Sequence, residues 1–419
     1  MITAALPRLD PDLVPPRVLG LAALTQAALR GADGAALAAM IANAGHATRS
    51  AYLFDHAILA QLMFDRTNGL ARLDAALSDT RVFRVSDPAP GAPRLLGICQ
   101  PGDLMANTPL DCLTTPAGIG LDLVVFDPVL GWPATIPAHD VAFMAAAEPM
   151  PEDALNALTA AALAWPRPVL NNPARLPGLR REVLWQILSG FPGVVVPRTC
   201  WLPRQALTSM MDDKTLPAQT LDIPFPMLIR PAGSHAGKGL RLIVNRSELA
   251  AAFATDPAES FQVCRFVDYR SRDGKFRKFR VALVNGRPRL CHLAISDHWM
   301  VHYLNAGMAI HAERRAEEAT AFREFDTGFA RRHAEAFQFI HERLHLDWLV
   351  LDCAELPDRR LLVFEADTAA IVHGMDAVGD FAYKAQPMKT LALEFRAWVS
   401  ERAVRARVME LLEAVGPNV

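Results

Sequence analysis

Asp352, Glu365 and Asp367 are the residues whose types and spacing point most directly to chemistry. They lie in DWLVLDCAELPDRRLLVFEAD, which reads as two strands joined by a short turn at Pro357-Asp358. LVLD ends in one acid, and LLVFEAD ends in two acids one residue apart. Residues i and i+2 of a strand share a face, so Glu365 and Asp367 face the same way. Pairing of the strands brings Asp352 beside them. Three acids on one sheet face repel one another unless a cation is present. Hard cations such as Mg²⁺ take oxygen ligands and share them with substrate phosphates. The alternative is two strand ends carrying solvated acids.

Basic residues are placed to match. FRKFR puts Arg277 on one strand face with Phe279, and Phe276, Lys278 and Arg280 on the other. A cationic face beside an acidic cluster suits phosphate or acyl phosphate; solvated charges are the alternative. Gly233-Ser234-His235-Ala236-Gly237-Lys238-Gly239 is not a P-loop, because three residues separate its first glycines and a strand follows. Such a loop can still cradle phosphates with its backbone N–H groups, with Arg230 and Lys238 flanking it. HERLH, His341 to His345, matches a zinc-helix pattern in which Glu365 could be a third ligand. The strand WLVLD follows almost at once, which argues for packed or solvated histidines instead. HLAISDHWMVHYLNAGM, His292 to Met308, is dense in polar and aromatic groups and reads as facing substrate.

The elements that must position these groups fall into successive regions. Residues 1–85 are Ala- and Leu-rich with helical spacing, as in Leu21, Leu24 and Ala28. Residues 86–200 alternate apolar strands (RLLGICQ, LDLVVFD, RPVLNN) with helices over 152–164 and 179–188, which argues for an α/β layer with a parallel component. Residues 201–400 form a strand-rich unit with a hairpin signal at Asn285-Gly286. Its helix over 246–254 takes Ser247 as N-cap. A terminal helix runs from about Met388 to Val415, and residues 401–419 are its end. The fold class is α/β (α+β), with antiparallel sheets in the last large unit.

Bulk properties bound the function. A chain of 419 residues is long enough for two or three domains. It is 51% hydrophobic and 21% charged, which makes it globular. A net charge of −2 with no basic face argues against nucleic acid. No apolar run approaches a membrane span, and the N-terminus is not a secretory signal. Six scattered cysteines read as reduced thiols of a cytoplasmic protein. Only six of 43 basic residues are Lys, all after position 213, so a compact ammonium is needed there or the coding is biased.

The order of these motifs resembles the ATP-grasp superfamily, on its glutathione-synthetase-like branch, over roughly residues 190–390. It is similar to a group sometimes fused to tetratricopeptide repeats, through the strings FVDYRSRDG, RKFRV, HWMVHY and FEAD. The resemblance implies a pre-ATP-grasp domain over 86–200 and an ATP-grasp domain over 201–400. It implies that Arg230 stands where the family usually has a nucleotide-contacting Lys, with Gly233 to Gly239 as the loop over the phosphates. Arg265, Phe266, Val267 and Asp268 would form the adenine hinge, with Asp268 near ribose. Arg280, with Lys278, would serve the phosphate or acyl phosphate. Asp352 and Glu365 would be Mg²⁺ ligands, and Asp367 replaces a usual Asn and favours a second ion. His292, Ser296, Trp299, His302, Asn305 and Gly307 would face substrate. ATP and one or two Mg²⁺ ions are the implied cofactors. The implied reaction is carboxylate–amine ligation through an acyl phosphate, releasing ADP and phosphate, with natural-product or peptide modification among its settings. The partners would be small-molecule or peptide acids and amines, with a homodimer left open. A non-catalytic nucleotide-binding protein and an HExxH zinc hydrolase are the alternatives.

Overall fold

The computed structural model describes residues 6–211, 223–232, 237 and 239–415. Helices Gly20–Leu29, Gly34–Ala42, Arg49–Leu62 and Arg66–Asp79 come first, as the apolar spacing requires. Asp33, Thr48 and Asp65 cap the last three through side-chain oxygens that accept a first-turn backbone N–H. Two strand pairings stitch this helical region to the middle of the chain. Arg8–Asp10 pairs in parallel with Thr135–Pro137, and Val82–Ser86 is an edge strand of the middle sheet.

That middle sheet has the order Val82–Ser86, Gly120–Val125, Arg94–Cys99, Val141–Met144, Val169–Leu170. All its pairings are parallel except the first. Its near-continuous apolar strands follow from burial on both faces. Helix Glu152–Ala164 forms as expected, and Arg181–Leu188 follows a 3₁₀ segment, Pro173–Leu179.

A four-stranded antiparallel sheet comes next, in the order Arg241–Ile243, Met227–Pro231, Ser260–Arg265, Thr199–Pro203. Its core is Leu207, Met227, Ile229, Ile243, Leu249, Phe261 and Val263. Helix Arg246–Thr255 is capped by Asn245, whose side chain accepts from Glu248 N at 3.0 Å, and not by Ser247. Glu248 returns a carboxylate to Val244 N at 3.0 Å. The reciprocal pair satisfies two otherwise free donors, and Ser247 lies one turn position too late to do so.

The acid-bearing sheet has the order Arg287–Ser296, Phe276–Val284, Trp348–Glu355, Leu361–Asp367, Val194–Val195. Only the last pairing is parallel. Asn285 (φ 48°) and Gly286 (φ 78°) make the tight turn that joins its first two strands, with the two positive φ angles such a hairpin needs. Helix Ala385–Val415 runs unbroken through the boundary expected near residue 400. Phe395 on this helix meets Phe143 of the middle sheet at 6.0 Å and Trp348 of the acid-bearing sheet at 5.7 Å. One apolar cluster therefore spans both sheets and the helix.

Candidate functional site

The site begins with strand register. Arg280 lies opposite His292 on one neighbour and opposite Asp352 on the other, and Asp352 lies opposite Glu365. Four chemistry-bearing residues thus form a row across four strands. Two β-bulges flank the row. The pairing jumps from Arg280–His292 to Val281–Leu290, leaving Cys291 extra, and from Asp352–Glu365 to Cys353–Val363, leaving Phe364 extra. Leu290, Val281, Cys353 and Val363 share the apolar core on one face. Simple alternation would send Glu365 to that face together with Val363. The bulge at Phe364 breaks the alternation and puts Glu365 beside Asp352; the bulge at Cys291 does the same for His292. Bulges re-aim side chains in this way near active sites.

The electrostatics differ from a ring of three acids. Asp352 is buried and accepts from Lys278 Nζ at 2.9 Å and from Arg280 Nε and Nη2 at 2.8 and 3.1 Å. Burial works against its ionisation, yet Arg280 and Lys278 hold its carboxyl well below the usual range. The cations that relieve the expected repulsion are therefore the protein's own, because the basic strand is the direct neighbour of the acidic one. Among the described residues no three His, Cys, Asp or Glu side chains converge as a metal-binding group. This corrects the expectation of a preformed Asp352–Glu365–Asp367 triad. Glu365 pairs with Arg181 Nη2 at 2.7 Å. Asp367 accepts from Ala369 N at 2.8 Å, and burial followed by the Glu365 charge pushes its carboxyl up to about 6. Arg277, on the other face, is held by Asp273 and Glu317.

Arg230 lies directly opposite Gln262 in the four-stranded sheet, and its Nη2 donates to Gln262 Oε1 at 2.9 Å. Its Nε is buried with no partner among the described residues. Arg265 pairs with Met227, and Phe266 N donates to Pro226 O at 3.2 Å. Val267 packs beside Tyr269 and Phe276. Asp268 is turned to Arg270, accepting from its backbone N at 3.0 Å and its Nη2 at 3.2 Å. Gly237 and Gly239 have φ 75° and 71°, where a side chain is strained. Gly233, Ser234, His235, Ala236 and Lys238 lie outside the described residues.

The residues expected to face substrate divide. His292 Nε2 is sequestered without a partner, and burial followed by Arg280 drives its imidazole well below the ordinary range. His302 is lowered by partial burial and then by Lys278 and Arg280, so it stands near those cations. Trp299 ties this segment to the hinge: its carbonyl accepts from Tyr269 Oη at 2.5 Å and its ring meets Phe266 edge-on at 5.9 Å. Ser296 Oγ accepts from His298 N, and Asn305 Oδ1 from His302 N, so both shape turns. Gly307, at φ 66°, leaves room where a Cβ would meet His311 at 3.0 Å.

Sequence reasoning missed two groups of residues. Glu318, fully buried, accepts from Tyr303 and Tyr383 hydroxyls at 2.9 and 2.5 Å, and buried Lys384 donates to Tyr303 Oη at 2.5 Å and Asp376 at 2.9 Å. Tyr303 stacks on His292 at 4.6 Å. The six-lysine asymmetry was the one signal for Lys384. The second is Arg181, which carried none. HERLH is not a zinc helix: the helix ends at Leu344, His345 takes φ 51° beyond it, and His341 packs on the Gly286 turn. A cleft of about 580 Å³ lies apart from the row, lined by Arg94, His139, Asp140, Arg167, Arg407 and Glu410.

No protein-family model and no curated protein matches the chain. Solved structures overlap it in part. An ATP-grasp RimK domain protein from Sphaerobacter thermophilus is 13% identical, with TM-score 0.41, over 73% of this chain and 99% of its own. D-alanine–D-alanine ligase from Bacillus anthracis is 12% identical, with TM-score 0.42, over 76% and 99%. The ATP-grasp ligase PsnB, solved with precursor peptide PsnA2 and AMPPNP, is 12% identical, with TM-score 0.38, over 70% and 97%.

Proposed function

We propose that this chain is an ATP-grasp carboxylate–amine ligase: a carboxylate takes the γ-phosphoryl group of ATP, and an amine then displaces phosphate to form an amide. The reading rests on the chain's own residues. The observation that carries it is the row Arg280–Asp352–Glu365 with Lys278 and Asp367 on the same face. That row lies within one arginine's reach of Gln262 and Arg230 on the second sheet. Two sheets meeting over fixed cations and acids suit a polyanion between them. Phosphoryl transfer asks for positioning and charge neutralisation more than for covalent chemistry.

Glu365 and Asp367 fit Mg²⁺. They are adjacent oxygen donors, and the raised Asp367 carboxyl records repulsion that a divalent cation relieves. Asp352 is a donor only when Lys278 and Arg280 turn to substrate oxygens. The ion, one or two per site, would neutralise the phosphates. Arg230 offers an unused buried N–H to a phosphate oxygen. Lys278 and Arg280, fixed by Asp352, stabilise charge on the transferring group and the acyl phosphate. Phe266 and Val267 supply the adenine hinge, with Asp268 near ribose. Neutral His292 and His302 border the acid and amine, which are small molecules or peptides. Described cysteines are all free, which suits a reducing, cytoplasmic setting, and no described helix is long and apolar enough to cross a membrane.

The test is Mg²⁺-dependent ATP binding by calorimetry, followed by ADP release against panels of acids and amines. Asp352→Ala and Glu365→Ala are expected to abolish ADP release while keeping a cooperative unfolding transition. Retained turnover in both variants overturns the reading.

A further inference from the structure

Arg181 is the first residue of helix Arg181–Leu188, and the helix is anchored by buried Leu184 and Leu188. Its neighbour Arg180 is locked to Glu148 through Nε and Nη2, both at 3.0 Å. The backbone beneath Arg181 is therefore fixed, while its guanidinium is not. That fork is split between two sheets. Nη2 reaches Glu365 Oε1 at 2.7 Å, and Nη1 makes a long contact of 3.4 Å with Gln262 Oε1.

Gln262 is an imperfect partner. Its one oxygen already accepts from Arg230 at 2.9 Å, so two guanidinium groups crowd a neutral acceptor. Arg230 keeps a buried Nε without a partner among the described residues. Positive charge at this point exceeds what the protein supplies to balance it. The Glu365 contact is also a loose one. The Glu365 side chain is 43% exposed, against 9% for Asp352 in its clamp. An exposed pair of this kind is worth little and exchanges readily.

We propose that Arg181 is a counter-cation parked at the metal position. It neutralises Glu365 until Mg²⁺ takes that carboxylate, and it then serves the nucleotide phosphates with its freed fork. Guanidinium and metal compete for the same oxygen, so they cannot both hold it. A planar fork released beside Arg230 matches a phosphate bidentately. Metal and nucleotide binding are thereby linked through one side chain that belongs to neither sheet. The inference rests on the nucleotide reading proposed for this site.

The experiment uses the full chain and Mn²⁺ as the metal probe, with free Mn²⁺ followed by electron paramagnetic resonance and Mn²⁺–ADP by calorimetry. Arg181→Ala is expected to bind Mn²⁺ alone about threefold more tightly, since an exposed competitor is gone. It is expected to bind Mn²⁺–ADP about tenfold more weakly, since a charge-assisted phosphate contact is lost. Arg181→Lys keeps the charge without the fork, so Mn²⁺ affinity stays near wild type and Mn²⁺–ADP affinity falls. Adding Glu365→Gln to Arg181→Ala removes the metal gain. Wild-type values for both ligands in Arg181→Ala overturn the inference and leave the ligase reading standing. So does weaker binding of Mn²⁺ alone. Failure of the wild type to bind Mn²⁺–ADP overturns the ligase reading itself.

Discussion

Asp122 and Asp352 are set up alike. Asp122, in the middle sheet, is fully buried and takes Arg84 Nε and Nη2 at 2.8 and 3.1 Å and Arg94 Nη1 at 3.3 Å. Asp352 takes Arg280 at the same two distances and Lys278 at 2.9 Å. Each is a carboxylate clamped by two cations on neighbouring strands. The surroundings separate them. Beyond Asp122 the cations run on to a second carboxylate, Asp87, and the network closes. Around Asp352, His292 Nε2 and Arg230 Nε lack partners among the described residues, and Asp367 is held near 6 by its neighbour Glu365. An ion-pair cluster alone says little about function. Unsatisfied polar groups and displaced ionisations beside it are what mark a place built for a ligand.

That contrast can be broken by mutation. The largest effect is expected from Asp352→Asn, which should lower ADP release at least about a thousandfold by freeing both cations from their fixed positions. It should also erase the rise in melting temperature that Mg²⁺ and nucleotide give the wild type. Asp122→Asn should cost about 3 kcal/mol of stability, since a buried pair loses one partner. Its ADP release per folded molecule and its ligand-induced melting shift should stay normal. Loss of activity in folded Asp122→Asn would erase the distinction between the two clusters. Glu365→Gln should reduce ADP release about a hundredfold and change stability by less than about 1 kcal/mol, measured by denaturant titration. The smallest effect sharpens the comparison from the far end of the Asp352 strand. Burial opposes ionisation of Glu355, but His333 and Arg332 hold its carboxyl down at about 2, from an ordinary 4.5. A lowered folded value stabilises above pH 4.5, and the benefit fades as pH falls towards 2. Glu355→Gln should flatten that part of the melting-temperature profile, by about 1 kcal/mol at most.

Much of this was legible in the residues. LVLD, LLVFEAD and FRKFRVALV have the apolar runs and alternation that make strands, and Asn285-Gly286 announces its turn. The co-facial placement of Glu365 with Asp367, and of Lys278 with Arg280, followed from a period of two. The bulges were not legible. Whether Phe364 or Cys291 is the extra residue depends on how both neighbouring strands pack, which no local pattern states. Arg181 was invisible for a related reason, because its partners Gln262 and Glu365 come from two later sheets. HERLH misled in the opposite way. Its spacing fits one helical face, and the left-handed His345 that ends the helix removes that face.

Helix Ala385–Val415 carries a consequence for how this molecule is made. Phe395 touches the middle sheet at Phe143 and the acid-bearing sheet at Trp348, and Leu391 and Val399 lie fully within the same apolar cluster. On a ribosome, Phe143 emerges about 250 residues before its partner does. Until then the middle sheet presents an open greasy flank, a period in which nascent chains are prone to associate. Chains truncated before residue 385 are expected to stay in that state, and to gather in inclusion bodies where the full chain does not.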